Sequence, residues 1–314
     1  MSLLSIAFNV LYAILRPLIN ALLYPFYLRL PDSSAQAQAV PIHDTQAQIK
    51  LRPAGSQLKV KRSNISHVLP RASTSKLHQV HVGSQNRIIN IDSKAATVTL
   101  EPSVTMEQLV DALLPRDLLP FVVPEFKNLT VGGLIAGAGL ESSSFKHGQF
   151  ADTLLSCRYL LADGSIVDCS PEEKSDLFYG AMGAMGTLGL LVECTLKLER
   201  LQGKRWVQVQ QHHLKDSIGM LRVLLEKRDE SIDYLDTVYF SPTESVISLA
   251  SRVDRPRKIT VDLSSRWSQF WYLHLCNSPD QQVDYMTLKD YIFRFDDMAF
   301  WMGSVFYRMM SVAI

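Results

Sequence analysis

The stretch TVGGLIAGAGLESSS, residues 130–144, carries four glycines and no charge before Glu141. It follows an apolar run, residues 119–123, that reads as a buried strand. Two adjacent glycines there let backbone come close to a ligand. N–H groups without neighbouring Cβ atoms can aim at a phosphate or a flat ring. The pattern predicts a helix beginning near Leu134, whose N-terminus favours an anion. Gly137 and Gly139 then keep one helical face small enough for a bulky planar group. This is the logic of a dinucleotide site, although glycine pairs also serve plain turns.

Working outward, a second glycine run, GAMGAMGTLG, covers residues 180–189. Upstream, RIINIDSKAATVTLEP predicts a hairpin with arms at 88–91 and 97–100, and residues 57–61 predict another strand. Thr105 and Gln108 make a capping box for a helix whose apolar face is Met106, Leu109, Val110, Leu113 and Leu114, ended by Pro115. Residues 154–161 and 165–169 read as strands joined at Asp163-Gly164. Ser170, Pro171 and Glu173 predict a helix start near 171.

From 190 to 199 the chain alternates. Val192, Cys194, Leu196 and Leu198 fall on one face of a half-exposed strand. Residues 214–228 predict an amphipathic helix, and 237–240, 246–250 and 259–263 predict short strands. Twelve of the 28 aromatic residues lie in 267–314, a density that argues for a packed or substrate-lining layer. Helices and strands mix without strict βαβ alternation, so the fold class is α+β.

At about 150 residues per domain, 314 residues predict two domains. Thirty-two basic against 31 acidic residues exclude a strongly basic nucleic-acid binder, so no nucleic-acid partner is expected. Cys157, Cys169, Cys194 and Cys276 form no CxxC pair, which disfavours structural zinc and a disulfide framework and leaves buried free thiols. No P-loop, G-x-S-x-G or H-E-x-x-H motif is present, and GAGLES lacks the third glycine of G-x-G-x-x-G. His212-His213 reads as a solvated pair.

The run LLSIAFNVLYAILRPLINALLYPFYL, residues 3–28, has Arg16 as its only charged residue and is long enough to span a bilayer. Arg16 and Pro17 weaken a simple spanning helix, so a kinked anchor and an interfacial helix both fit. A cleaved signal peptide and a buried soluble helix remain as alternatives. Residues 32–48 read as a tether.

TVGGLIAGAGLESSSFKHG, with VVPE before it and LADGS, SDLFYG and GTLGLLVE after it, closely resembles the Delta(24)-sterol reductase family. These are flavoproteins with a vanillyl-alcohol-oxidase-type (PCMH) FAD domain. The likeness covers residues 57–200 and continues weakly to DYIFRFDDMAFWMG, residues 290–303. It implies a two-subdomain FAD-binding fold at 49–210, a membrane anchor at 1–31 and a partial substrate domain at 211–314.

The resemblance also implies that FAD contacts Thr130, Val131, Gly132, Gly133, Leu134, Ile135, Ala136, Gly137, Ala138, Gly139, Leu140, Glu141 and Ser142, and then Gly186, Thr187 and Gly189. His67 lacks the context for covalent attachment, so FAD is expected to be non-covalent, with Arg62, Ser63 and Asn64 near phosphate. NADPH is the implied donor. The implied substrate is a sterol or related isoprenoid lipid, reduced at its 24,25 double bond at the endoplasmic reticulum membrane. Lys146 is the candidate cation for reduced flavin and His147 a weaker candidate general acid, with a solvated lysine as the alternative. Two other readings stand beside this one: a PCMH-type FAD oxidase of a small alcohol or sugar, and a shortened, inactive FAD-binding paralogue. Oligomeric state is not legible.

Overall fold

The computed structural model describes residues 42–53, 55–61, 77–82, 85–227, 232–241, 243–264 and 271–296. The expected anchor, His67, and the phosphate candidates Arg62, Ser63 and Asn64 lie outside them. Among the described residues no helix is long and apolar enough to cross a membrane.

Two antiparallel sheets carry the fold. The first has strands β3 (Ile88–Asp92), β4 (Thr97–Leu100), β6 (Leu154–Leu160), β7 (Ile166–Cys169) and β8 (Leu190–Arg200), ordered β3-β4-β8-β6-β7, with β5 (Leu118–Pro120) pairing the far end of β8. The second is ordered β10-β11-β9-β12, from β9 (Trp206–Leu214), β10 (Tyr234–Ser241), β11 (Glu244–Val253) and β12 (Val283–Thr287). A small parallel pair, β1 (Leu58–Lys61) and β2 (His78–His81), joins neither ladder and packs Val80, Leu58 and Val60 against Leu160, Leu190 and Val192 of the first sheet.

The alternation in β8 behaves as its sequence demands: Val192, Cys194, Leu196 and Leu198 are buried. Helix α2 (Met106–Leu113) has its capping box in place, with Thr105 Oγ1 accepting from Gln108 N and Gln108 Oε1 from Thr105 N. Its stripe of Met106, Leu109, Val110 and Leu113 is fully buried. Each such side chain contributes about 1.5–3 kcal/mol. One continuous core runs from these residues to Val207, Val209 and Tyr291 beside the second sheet, so the two sheets are packed as one body.

Several elements differ from the local patterns. The expected tether ends in helix α1 (Ile42–Lys50), which buries Thr45 and Ile49 and reaches the β6–β7 turn through Gln46 Nε2 to Gly164 O, 2.9 Å. A polar stretch becomes structure because a surface waits for it. Ser170 Oγ does accept from Glu172 N and Glu173 N, but Lys174 adopts φ 50°, and helix α5 (Ser175–Ala181) starts only after that left-handed residue.

Residues 259–263 form no strand, because Thr260 Oγ1 takes the Tyr285 N–H that a ladder carbonyl would otherwise accept. Leu214 ends β9, and helix α6 runs Ser217–Lys227. His212 and His213 sit half-buried on β9 rather than free in solvent. The described aromatic tail is a packed layer. Trp271 in α7 (Trp271–Asn277) stacks on His274, and Tyr291 in α8 (Leu288–Ile292) packs against Tyr234, ring centroids 4.9 Å apart.

Candidate functional site

Helix α3 (Val131–Gly137) starts at Thr130, whose Oγ1 accepts from Gly133 N at 3.3 Å. The helix therefore begins three residues before Leu134, and its first glycines do different jobs. Gly132 is buried and donates its N–H to Pro102 O at 2.8 Å. A Cβ there would lie 2.6 Å from Pro102 Cβ, so this glycine serves close packing and not a ligand. Val131, Leu134 and Ile135 point into the core and offer a cofactor only backbone.

Gly133 and Gly137, four apart, lie on the exposed side, and nothing stands within 4 Å of a Cβ placed at Gly137. Ala138 ends the helix in the left-handed conformation. Gly139 lies past that end, folded against Leu134 and Pro124, so it is Gly133 rather than Gly139 that shares the small face with Gly137.

The second glycine run docks on the end of this helix. Gly183 N donates to Ile135 O at 3.0 Å and Met185 N to Ala136 O at 2.9 Å, occupying carbonyls that a helix end leaves open. Gly183 and Gly186 hold φ of 74° and 78°, and the space beside each is empty. Thr187 turns its hydroxyl back to Ala184 O, while Gly189 packs against Leu160 O and Leu161. Two runs some fifty residues apart thus make one shelf.

Four of the ten exposed large hydrophobics among the described residues lie on its segments: Leu140, Tyr179, Met185 and Leu188. Apolar side chains gathered in water beside an open glycine face fit a flat cofactor such as a flavin. The glycines that hold open space, Gly137, Gly183 and Gly186, are the cradle that added Cβ atoms would fill, while a Cβ at exposed Gly133 would meet Thr130 Oγ1 at 3.0 Å.

A buried charge cluster closes the end of the shelf. Arg294 Nη2 lies 3.0 Å from Glu141 Oε1 and also pairs with Asp236 on β10. Its guanidinium stacks on the rings of Tyr291 and Phe295 at 4.2 and 4.7 Å. Burial opposes charge on Glu141, yet Arg294, Glu125 and Ser142 together hold its carboxyl below the ordinary value. Burial, and next the hydrogen bond to Glu141, push Glu125 to about 8, so this carboxyl carries a proton at neutral pH. Burial also raises Asp236, with Arg294 offsetting part of that.

The two catalytic candidates are occupied otherwise. Lys146 Nζ donates to the Ile232 carbonyl, tying α4 (Ser144–His147) to the segment that leads into β10, so the expected flavin-facing cation is engaged in structure. His147 packs on Phe121, ring centroids 5.0 Å apart; burial, then Arg252 and Lys146, hold its imidazole below the ordinary value. That lowering disfavours the proton the expected general acid would carry. Ser142 Oγ donates to Glu141 Oε1, and Ser143 Oγ to Phe121 O.

Glu125, Asp236 and Arg294 did not stand out as site residues in the sequence. Glu125 sits in the VVPE block and Arg294 in the FRFD block. The VVPE and FRFD blocks were the available signal; their meeting in space was not.

Residues 28–170 match the family model described as an FAD binding domain. The chain is 31% identical over 232 residues to a Delta(24)-sterol reductase homolog of Caenorhabditis elegans, covering 68% of this chain and 44% of that protein. It is 31% identical over 220 residues to the Delta(24)-sterol reductase of Homo sapiens, covering 68% and 42%. The chain belongs to this sterol reductase family of FAD-binding flavoproteins. A more distant likeness, 27% over 172 residues, is to the L-gulonolactone oxidase of Mus musculus, covering 53% of this chain and 37% of that one. The chain spans less than half the length of the sterol reductases it matches. The residues matched to the FAD binding domain hold the first glycine run, and the shelf described above is where the second run joins it.

Proposed function

We propose that this chain is the FAD-binding part of an oxidoreductase that saturates the 24,25 double bond of a sterol side chain with NADPH as donor. The carrying observation is the shelf: Gly137, with exposed Gly133 on the same helix face, is open beside Gly183 and Gly186, with exposed apolar residues on the same segments, in a chain similar to sterol reductases. Gly133, Gly137, Gly186 and the backbone of Ala138–Glu141 would hold FAD without a covalent bond. Bound FAD would supply two-electron transfer between a reduced nicotinamide and an isolated carbon–carbon double bond.

The chain's own groups shape that chemistry. Leu140, Tyr179, Met185 and Leu188 would exclude water over the shelf. Arg294 holds Glu141 ionised and fixed in the loop leaving the glycine helix. Glu125 holds a proton one carboxyl away. A membrane association through residues 1–31 brings the chain to a lipid substrate.

The test is spectroscopic. The purified chain should show a flavin spectrum, and heating should release FAD. Anaerobic NADPH should bleach it, and a 24,25-unsaturated sterol should restore the colour. Bleaching that such a sterol leaves unchanged removes the sterol reading; failure to retain FAD supplied in excess removes the cofactor reading. The likeness to L-gulonolactone oxidase favours a second reading, an oxidase of a small hydroxylated substrate, for which oxygen rather than a sterol would restore the spectrum.

A further inference from the structure

Cys157, Cys169 and Cys194 stand in one row across three neighbouring strands. Cys157 on β6 is the register partner both of Cys169 on β7 and of Cys194 on β8, so the three side chains share a face of the first sheet. All three are free and buried. The close sulfur contact joins Cys157 and Cys169, whose Sγ atoms are 3.2 Å apart, and Cys169 Sγ also points to Cys157 O at 3.4 Å. A cavity of about 180 Å³ opens onto the row, lined by the thiols with Arg158, Asp168 and Glu193. That volume has room for several waters, and so for a small peroxide.

We propose that Cys157 and Cys169 form a thiol–disulfide site, closed by small peroxide oxidants that enter through this cavity. Directly opposed residues of an antiparallel pair have Cα atoms about 4.5–5.5 Å apart, inside the range a disulfide spans. Cys169 lies on the edge strand and meets the oxidant. Its thiol loses a proton and its sulfur attacks one peroxide oxygen. The O–O bond breaks, one water leaves, and Cys169 becomes a sulfenic acid. The Cys157 sulfur then displaces that hydroxyl: an S–S bond forms, the S–O bond breaks, and a second water leaves with the Cys157 proton. Two thiols have lost two electrons and two protons, and hydrogen peroxide has gained both.

Burial raises all three thiols above their ordinary values, so the resting pair is protonated and reacts slowly. The bond would pin β7 to β6 just before α5 and the second glycine run, which docks on α3.

The sequence makes the test direct. Trypsin cutting at Arg158, Lys174 and Lys197 leaves Cys157, Cys169 and Cys194 in separate peptides, and Cys276 in another. The purified full-length chain is treated with hydrogen peroxide, alkylated while denatured, digested and weighed. The expected product is the Cys157–Cys169 linked peptide, lighter than its two parts by two hydrogens and lost after dithiothreitol. The Cys194→Ser variant should give the same product. Linkage of Cys157 to Cys194, a stable sulfenic or sulfinic acid at Cys169 without linkage, or full alkylation of all three overturns the assignment.

Discussion

Arg294 and Glu141 are 153 residues apart in the chain, yet Nη2 and Oε1 lie 3.0 Å apart with both side chains buried. This pair joins the exit of the glycine helix to the second sheet, where Asp236 meets the same nitrogen, Nη2. Arg294→Met leaves two buried carboxylates without their cation. It should cost about 3–5 kcal/mol of stability, because an unpaired buried charge is far worse than a missing pair. Chemical denaturation measures this. FAD should be lost in parallel, since Glu141 sits in the loop that leaves the shelf. A cost below 1 kcal/mol would sink the idea that the pair holds the two parts together.

Two glycines of α3 should separate cleanly. Gly132→Ala places a methyl against Pro102 and should destabilise the fold by about 1–3 kcal/mol. Gly137→Val meets empty space in the fold and should leave the melting midpoint of the apoprotein within a few degrees. It should raise the FAD Kd about tenfold or more, equivalent to about 1.4 kcal/mol. Flavin titration together with thermal melts checks both; unchanged FAD affinity in Gly137→Val would move the cofactor off this face.

Glu125 predicts a specific pH dependence. Its folded-state value of about 8 stands above the ordinary 4.5. Between those values the folded chain keeps a proton that the unfolded chain releases. Stability is therefore full at the acid end and falls as pH rises from near 4.5 to near 8. Glu125→Gln cannot ionise and should flatten that fall. Melting curves at pH 5 and pH 8 for both proteins decide it, with equal slopes counting against the buried proton.

Lys146 should prove structural. Its ammonium is held by the Ile232 carbonyl. Lys146→Gln should lower stability by about 1 kcal/mol and leave the rate of flavin reduction by NADPH within about twofold. A drop of a hundredfold in that rate at normal stability would return Lys146 to the catalytic role the sequence suggested.

Much of the fold was legible locally. The capping box at Thr105–Gln108, the hairpin at Asp163-Gly164 and the alternation of 190–199 all act within a few residues, so the sequence shows them directly. Helix starts were less legible. The Ser170 cap works as written, but the left-handed Lys174 delays the helix. The polar tail of the expected tether became α1 because Ile49 and Thr45 had a surface to bury against. Of the site, the two glycine runs were visible, but Lys146 and His147 were singled out without knowledge of what they face.

The sequence alone determined that two glycine-rich segments exist, which strands alternate, and that the chain resembles an FAD-binding family. Those are statements about backbone freedom and side-chain period, which need no distant partner. Tertiary structure decided which glycines face outward, Gly133 and Gly137 rather than Gly132 and Gly139, because only packing shows what covers each position. It also decided the charges. Glu125, Asp236 and Arg294 do not stand out in the sequence, and the ionisation of the cluster with Glu141 follows from burial and from pairings that reach 58 and 153 residues along the chain.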